Sequence, residues 1–217
     1  MRINPDEKTH NVPTEPVAVF PLAHTVLFPH IEMPLHIIED RYRSMLKDVF
    51  SSSNYIAISC IKKGHESAQD PIPTHDIVGV GYLKLSMDHD DGSTDILLKG
   101  IYCAKIHSYL QTHPYRIARL EVLHTECTDE EAASKKVKQL HRLLLQKLIH
   151  AENPDTENIH RIESLKDPDA ISGIAAYTAH IDTSIKQELL ETLDLNIRLD
   201  RLIKILEAEI LLLKGHS

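Results

Sequence analysis

The chain has 217 residues, 42% of them hydrophobic and 26% charged, so it is long enough for one domain or two small ones with a proper core. Its formal net charge of −8 gives nucleic acid no help from the overall field, and its three cysteines, widely spaced and without a CxxC pair, exclude a disulfide framework and fit a reducing compartment. No apolar run approaches the roughly 20 residues of a membrane span, and the polar first residues lack the apolar core of a secretory signal, so a cytoplasmic protein is expected.

Residues 1–15 read as a flexible leader. From Pro16 to Phe50 the chain is punctuated by Pro16, Pro21, Pro29 and Pro34, each of which fixes φ and removes a backbone donor. The residues between them, among them Val19, Phe20, Leu27, Phe28, Ile31 and Met33, are too apolar for a solvated loop. The expected order is a short strand, a proline-stiffened apolar loop and a second extended piece. Tyr42, Met45, Leu46, Val49 and Phe50 then recur at helical spacing and predict an amphipathic helix, with Asp40, Ser44 and Lys47 on its outward face. Ser51 to Asn54 ends it.

Tyr55–Ile61 is a continuous apolar run, the pattern of a strand covered on both faces. Lys62–Thr74, with Gly64, Pro71 and Pro73, reads as a loop. Asp76–Met87 and Thr94–Ile106 flank Asp91-Gly92, which predicts an antiparallel hairpin, and Gly79, Gly81 and Gly100 within it predict bulges or close backbone approach. A further strand is expected over Tyr115–Leu123. Five or six strands and one helix compose a small, partly open β-barrel.

Beyond residue 126 the pattern is helical throughout. Thr128 and Glu131 fit a capping box, Asn153-Pro154 breaks the helix that follows, and Asp167-Pro168 is a cap followed by proline at the first helical position. Leu195, Leu199, Leu202, Leu206, Ile210 and Leu213 form the seam of a last helix that ends near Gly215. The fold class is therefore α+β: a leader over 1–15, a β-barrel subdomain over 16–126 and an α-helical bundle over 127–217.

The residues Pro21-Leu22, Phe28-Pro29, Pro34-Leu35, Glu39, Arg41 and Tyr42 resemble the start of the Lon amino-terminal domain, the substrate-recruiting module of the Lon proteases. Val78-Gly79-Val80, Asp91-Gly92, Gly100, Pro114-Tyr115 and Glu121 are similar to its second conserved region. Asp167-Pro168, Lys186 to Glu191 and Arg198-Leu199 are similar to its third. The resemblance runs over roughly residues 16 to 214. It implies that the β subdomain is PUA-like, that the chain is a stand-alone module of this kind, and that it recruits proteins without catalysis in quality control. One departure is Gly100-Ile101, where the family often carries arginine after the glycine.

Catalytic and cofactor motifs are missing. No G-x-x-x-x-G-K-[ST] loop occurs, and Gly79-Val80-Gly81 has neither a third glycine nor a following helix. Ser184 and Lys186 lie within a helical pattern and do not form a dyad. His24, His30 and His36 fall in different elements, and the acidic residues around Gly92 lack the spacing of a calcium loop. No metal ligand, catalytic residue or cofactor is assigned. The candidate binding residues are Pro29, His30, Ile31, Met33 and Pro34 on the stiff loop, which loses little entropy on binding an extended peptide, and Asp40, Ser44 and Lys47 as polar contacts. The alternative for Ile31 and Met33 is that they plug the barrel. Expected partners are unfolded or peptide segments of other proteins, a separate ATPase or protease, and a second copy of the chain through the last helix. Two other functions stay open: a small-molecule hydrolase using barrel histidines and carboxylates, and RNA binding, against which the net charge argues.

Overall fold

The computed structural model describes residues 2–3, 15–68, 70–149 and 156–215. They divide into two compact units, Met1–His124 and Thr125–Ser217. The first holds β1 (Arg2–Ile3), β2 (Val17–Leu22), β3 (Glu32–Ile37), α1 (Asp40–Phe50), β4 (Tyr55–Cys60), β5 (Ile77–Asp88), β6 (Thr94–Gln111) and β7 (Arg116–Leu123). Of the expected leader only Arg2, Ile3 and Glu15 are described, and the first two pair with β5.

The strands form one mixed sheet in the order β1-β5-β4-β2-β7-β6-β3, and β5 also pairs with β6. The pairings β5–β4–β2–β7–β6 thus return to β5. Among the named strands only β2 and β4 pair in parallel, joined by a crossover that contains β3 and α1. The prolines sit where a missing donor costs least. Pro34 is on β3, the last strand in the order, and Pro21 lies beyond Val17–Val19, the part of β2 that pairs with β7.

Period-two alternation sorts the strand side chains into two cores. Phe20, Leu27, Met33, Met45, Ile56, Leu83 and Leu98 fill one, against which α1 packs through Tyr42, Met45, Leu46 and Val49. Val17, Val19, Ala57, Val78, Val80 and Ala104 fill the other. β4 contributes to both, so the reading of Tyr55–Ile61 as covered on both faces holds. Close backbone approach explains two of the glycines. A Cβ on Gly79 would lie 1.8 Å from the Leu27 carbonyl oxygen, and one on Gly100 would lie 2.0 Å from that of Phe28. The Val26–Phe28 segment therefore crosses directly over the β5–β6 ribbon.

The second unit holds α2 (Glu130–Ile149), α3 (Thr156–Glu163), α4 (Pro168–Thr178), α5 (Thr183–Glu191) and α6 (Leu195–Gly215). α2 packs along α6, and α4 packs on both; Leu140, Leu144, Ile171, Leu189, Leu199, Leu202 and Leu206 are buried. The Asp167 carboxylate caps α4 by accepting from the Asp169 amide, as its sequence signature predicts. At α2 the cap is one residue later than expected. The Asp129 carboxylate accepts from the Ala132 amide at 2.9 Å, while the Thr128 hydroxyl reaches Asp194. The break at Asn153-Pro154 lies outside the described residues. No helix among the described residues is long and apolar enough to cross a membrane.

Candidate functional site

Asp40, Arg43, Ser44 and Lys47 are three and four residues apart and so share one face of α1. Opposite that face stands the tip of the β5–β6 hairpin. Its turn is closed by the His89 amide donating to the Ser93 carbonyl at 2.9 Å and the Gly92 amide donating to the His89 carbonyl at 3.0 Å, with Gly92 at φ +82°. The Asp91 carboxylate braces the turn by accepting from the Ser93 amide and hydroxyl, which hold its pKa below the usual carboxylate range.

Between helix and hairpin lies a groove of about 490 Å³, within the range of ligand-binding clefts. The four polar α1 residues line one side together with Leu46 and Phe50; Ser86, Asp88, His89, Gly92 and Thr94 line the other. Arg43 bridges the two sides, donating to the Gly92 carbonyl and to the Asp40 carboxylate. The Thr94 hydroxyl donates to Asp88 at 2.9 Å. Both signs of charge, hydroxyl groups and two apolar side chains therefore meet in one cleft. Such a lining suits a peptide, which offers backbone amides, charged ends and apolar side chains together.

Asp40, Ser44 and Lys47, picked from the helical period alone, all line this groove. The proline loop stands elsewhere. None of its residues lines the groove: its last, Pro34, pairs with Leu97 on β6, three residues and roughly 10 Å along the strand from Thr94, where the groove is reached. Pro29 is half-buried, and His30 and Pro34 are exposed. Ile31 and Met33 are each only 5% exposed, Met33 within the core that α1 covers. Neither side chain is offered to solvent, and strand alternation turns Met33 inward while it turns Glu32 and Pro34 outward. Two backbone hydrogen bonds anchor the loop to β6: the His30 amide donates to the Gly100 carbonyl, and the Gly100 amide donates to the Ile31 carbonyl, both at 2.8 Å.

The sequence reading missed Arg43 and the whole hairpin side of the groove. Asp91-Gly92 located the turn but carried no sign of the helix it faces. In the second unit, Val137, Ile171 and Leu195 line a separate concavity of about 450 Å³ that holds none of the candidate binding residues.

Comparison with known proteins bears on this geometry. The model of the ATP-dependent protease La (LON) substrate-binding domain matches residues 16–208. A Lon protease of Desulfosudis oleivorans is 26% identical over 207 residues, 92% of this chain and 25% of that protein. A Lon protease of Dictyoglomus thermophilum is 23% identical over 209 residues, 95% of this chain and 26% of that protein. The chain thus spans about a quarter of the length of these relatives. Among solved structures, the N-terminal domain of Mycobacterium avium complex Lon protease superposes with a TM-score of 0.72 at 21% identity, covering 89% of this chain and 98% of that one. A Lon N-terminal domain protein from Xanthomonas campestris gives a TM-score of 0.60 at 17% identity, covering 88% and 98%. The shared part is the non-catalytic substrate-binding domain, and the 217 residues contain no ATPase or protease domain.

Proposed function

We propose a function from one premise: the chain belongs to the ATP-dependent protease La (LON) substrate-binding domain family. On our reading it is a non-enzymatic module that holds unfolded or peptide segments of other proteins, acting in protein quality control with a separate ATPase and protease. The observation that carries this reading is the groove in which Asp40, Ser44 and Lys47 face the β5–β6 hairpin. It is small and of mixed polarity, so each segment binds weakly and exchanges readily, as suits a module that handles many sequences. The half-buried Pro29 and the exposed His30 and Pro34 extend the surface towards and onto β3 on this reading, and Ile31 and Met33 support it from below.

We further read the ring of strand pairings as a PUA-like barrel and the helices of Thr125–Ser217 as a bundle, with the boundary near residue 126. The setting we propose is the cytoplasm, with which three free cysteines agree.

The test is fluorescence anisotropy with a labelled, carboxymethylated polypeptide that cannot fold. The expected result is saturable binding with a dissociation constant of roughly micromolar or weaker. Ser44→Trp combined with Lys47→Glu, which fills the groove and reverses one charge, weakens it several-fold without changing the melting temperature. Equal binding by the parent and the filled variant would place the site elsewhere and overturn the assignment.

A further inference from the structure

Beside the groove His36 converges with His89 and Asp95, a pair six residues apart at the hairpin tip and distant from His36 in the sequence. His36 on β3 and Asp95 on β6 are directly opposed cross-strand partners. His89, in the tight turn after β5, approaches the same carboxylate from the other side. The His36 Nδ1 stands 2.6 Å from Asp95 Oδ1, and the His89 Nε2 stands 2.7 Å from Asp95 Oδ2. The two rings lie 6.2 Å apart at 49°, and a ligand atom from each of the three residues lies within 4.8 Å of the other two.

We propose that His36, His89 and Asp95 form a binding site for one divalent transition-metal ion of the zinc class. Two imidazole nitrogens and a carboxylate oxygen are a donor set that zinc and its neighbours prefer, whereas calcium and magnesium favour oxygen alone. With metal–ligand bonds of about 2.0–2.2 Å, tetrahedral donors stand about 3.3 Å apart. Small side-chain rotations therefore convert the two histidine–aspartate hydrogen bonds into ligation. The surrounding charged groups do not compete. Asp91 is engaged by Ser93, Asp88 by Thr94, and Arg43 by Asp40 and the Gly92 carbonyl. All three side chains are between a third and just over a half exposed, which leaves an entry path and a fourth position for water. The ion would clamp β3 to the hairpin tip, and His89 would carry that clamp into the groove wall.

Zinc uptake is measured without any peptide, so this proposal stands or falls independently of the binding function. The full chain is stripped with EDTA, then titrated calorimetrically with zinc chloride and spectroscopically with cobalt(II). The expected result is stoichiometric zinc uptake and cobalt d–d bands of tetrahedral strength without a thiolate charge-transfer band. His36→Gln and Asp95→Asn each weaken zinc binding by at least about tenfold, and Cys127→Ser leaves it unchanged. No stoichiometric uptake at micromolar zinc overturns the proposal, as does uptake that survives His36→Gln combined with His89→Gln. The cobalt spectrum is read on the unsubstituted protein and decides the matter even if a variant folds poorly.

Discussion

Gly100 bears a hydrogen where any other residue would push a carbon to 2.0 Å from the Phe28 carbonyl oxygen, and Gly79 stands in the same relation to Leu27. Backbone cannot swing aside as a long side chain can. Gly100→Ala should therefore cost about 1–3 kcal/mol, the usual penalty for overfilling a packed site, read as a lower urea midpoint with unchanged slope. Asp70 makes a second argument at this scale. Arg116 is a buried cation that donates to the Ile72 carbonyl at 2.7 Å and lies 3.6 Å from Asp70, to which Arg41 also donates. Burial raises the Asp70 pKa, but the Arg41 hydrogen bond and charge, the Ile72 amide and the Arg116 charge outweigh it and hold the carboxyl below its ordinary value. A depressed carboxyl contributes stability that is complete above the unfolded pKa and is lost as pH falls through the folded value. Asp70→Asn should cost about 1–2 kcal/mol at neutral pH, and the gap between variant and parent should close below about pH 4. A gap that persists at low pH would mean that charge is not the cause.

At the scale of elements, α2 and α6 are joined by more than leucines. Lys147, 9% exposed, donates to Glu209 at 2.5 Å and to the Thr178 carbonyl at 2.7 Å, and the same glutamate accepts from the His180 amide at 2.6 Å. A buried pair contributes little net stability compared with apolar packing, yet breaking one side of it leaves an uncompensated charge. Lys147→Met alone should destabilise the protein by about 3–5 kcal/mol, whereas Lys147→Met with Glu209→Met should recover most of that loss. Thermal melts of the single and double variants check it; equal losses would show that packing, not charge, dominates. The α1–hairpin pairing has its own link, since Arg43 reaches both the Asp40 carboxylate and the Gly92 carbonyl. Arg43→Ala should loosen the hairpin tip, visible as faster amide exchange at His89 and Gly92, while Arg43→Lys should restore it only in part because an ammonium lacks the two-pronged fork.

For the whole molecule, the two compact units carry different reporters. Six of the seven tyrosines lie before His124 and only Tyr177 lies after Thr125, and tryptophan is absent. Among the described residues, five of the six helices belong to the second unit. Tyrosine fluorescence therefore follows the strand-rich unit and the 222 nm ellipticity mainly follows the helical one. Leu199→Ala empties a fully buried position of α6 and should cost about 2–5 kcal/mol. The expected outcome is a lower ellipticity midpoint with a smaller change in the tyrosine transition; identical shifts in both would mean that the chain unfolds as one cooperative body.

The sequence by itself determined what local period and turn chemistry can encode. Apolar and β-rich runs marked β2, β4, β5 and β6, alternation marked β7, the 3–4 repeat marked α1 and its outward residues, Asp-Gly marked the hairpin, and Asp167-Pro168 marked the start of α4. Gly79 and Gly100 announced a bulge or a close backbone approach, though not which of the two or from which segment. Each of these signals is written in residues only a few positions apart, so it survives without knowledge of the fold. Only the tertiary structure decided that β3 pairs with β6, that Ile31 and Met33 face inward, and that the hairpin tip supplies the second wall of the groove. It alone brought His36 to Asp95, 59 residues away. Pairing between distant strands depends on register, and register follows from how a whole buried face is filled, a property that no short window of sequence contains.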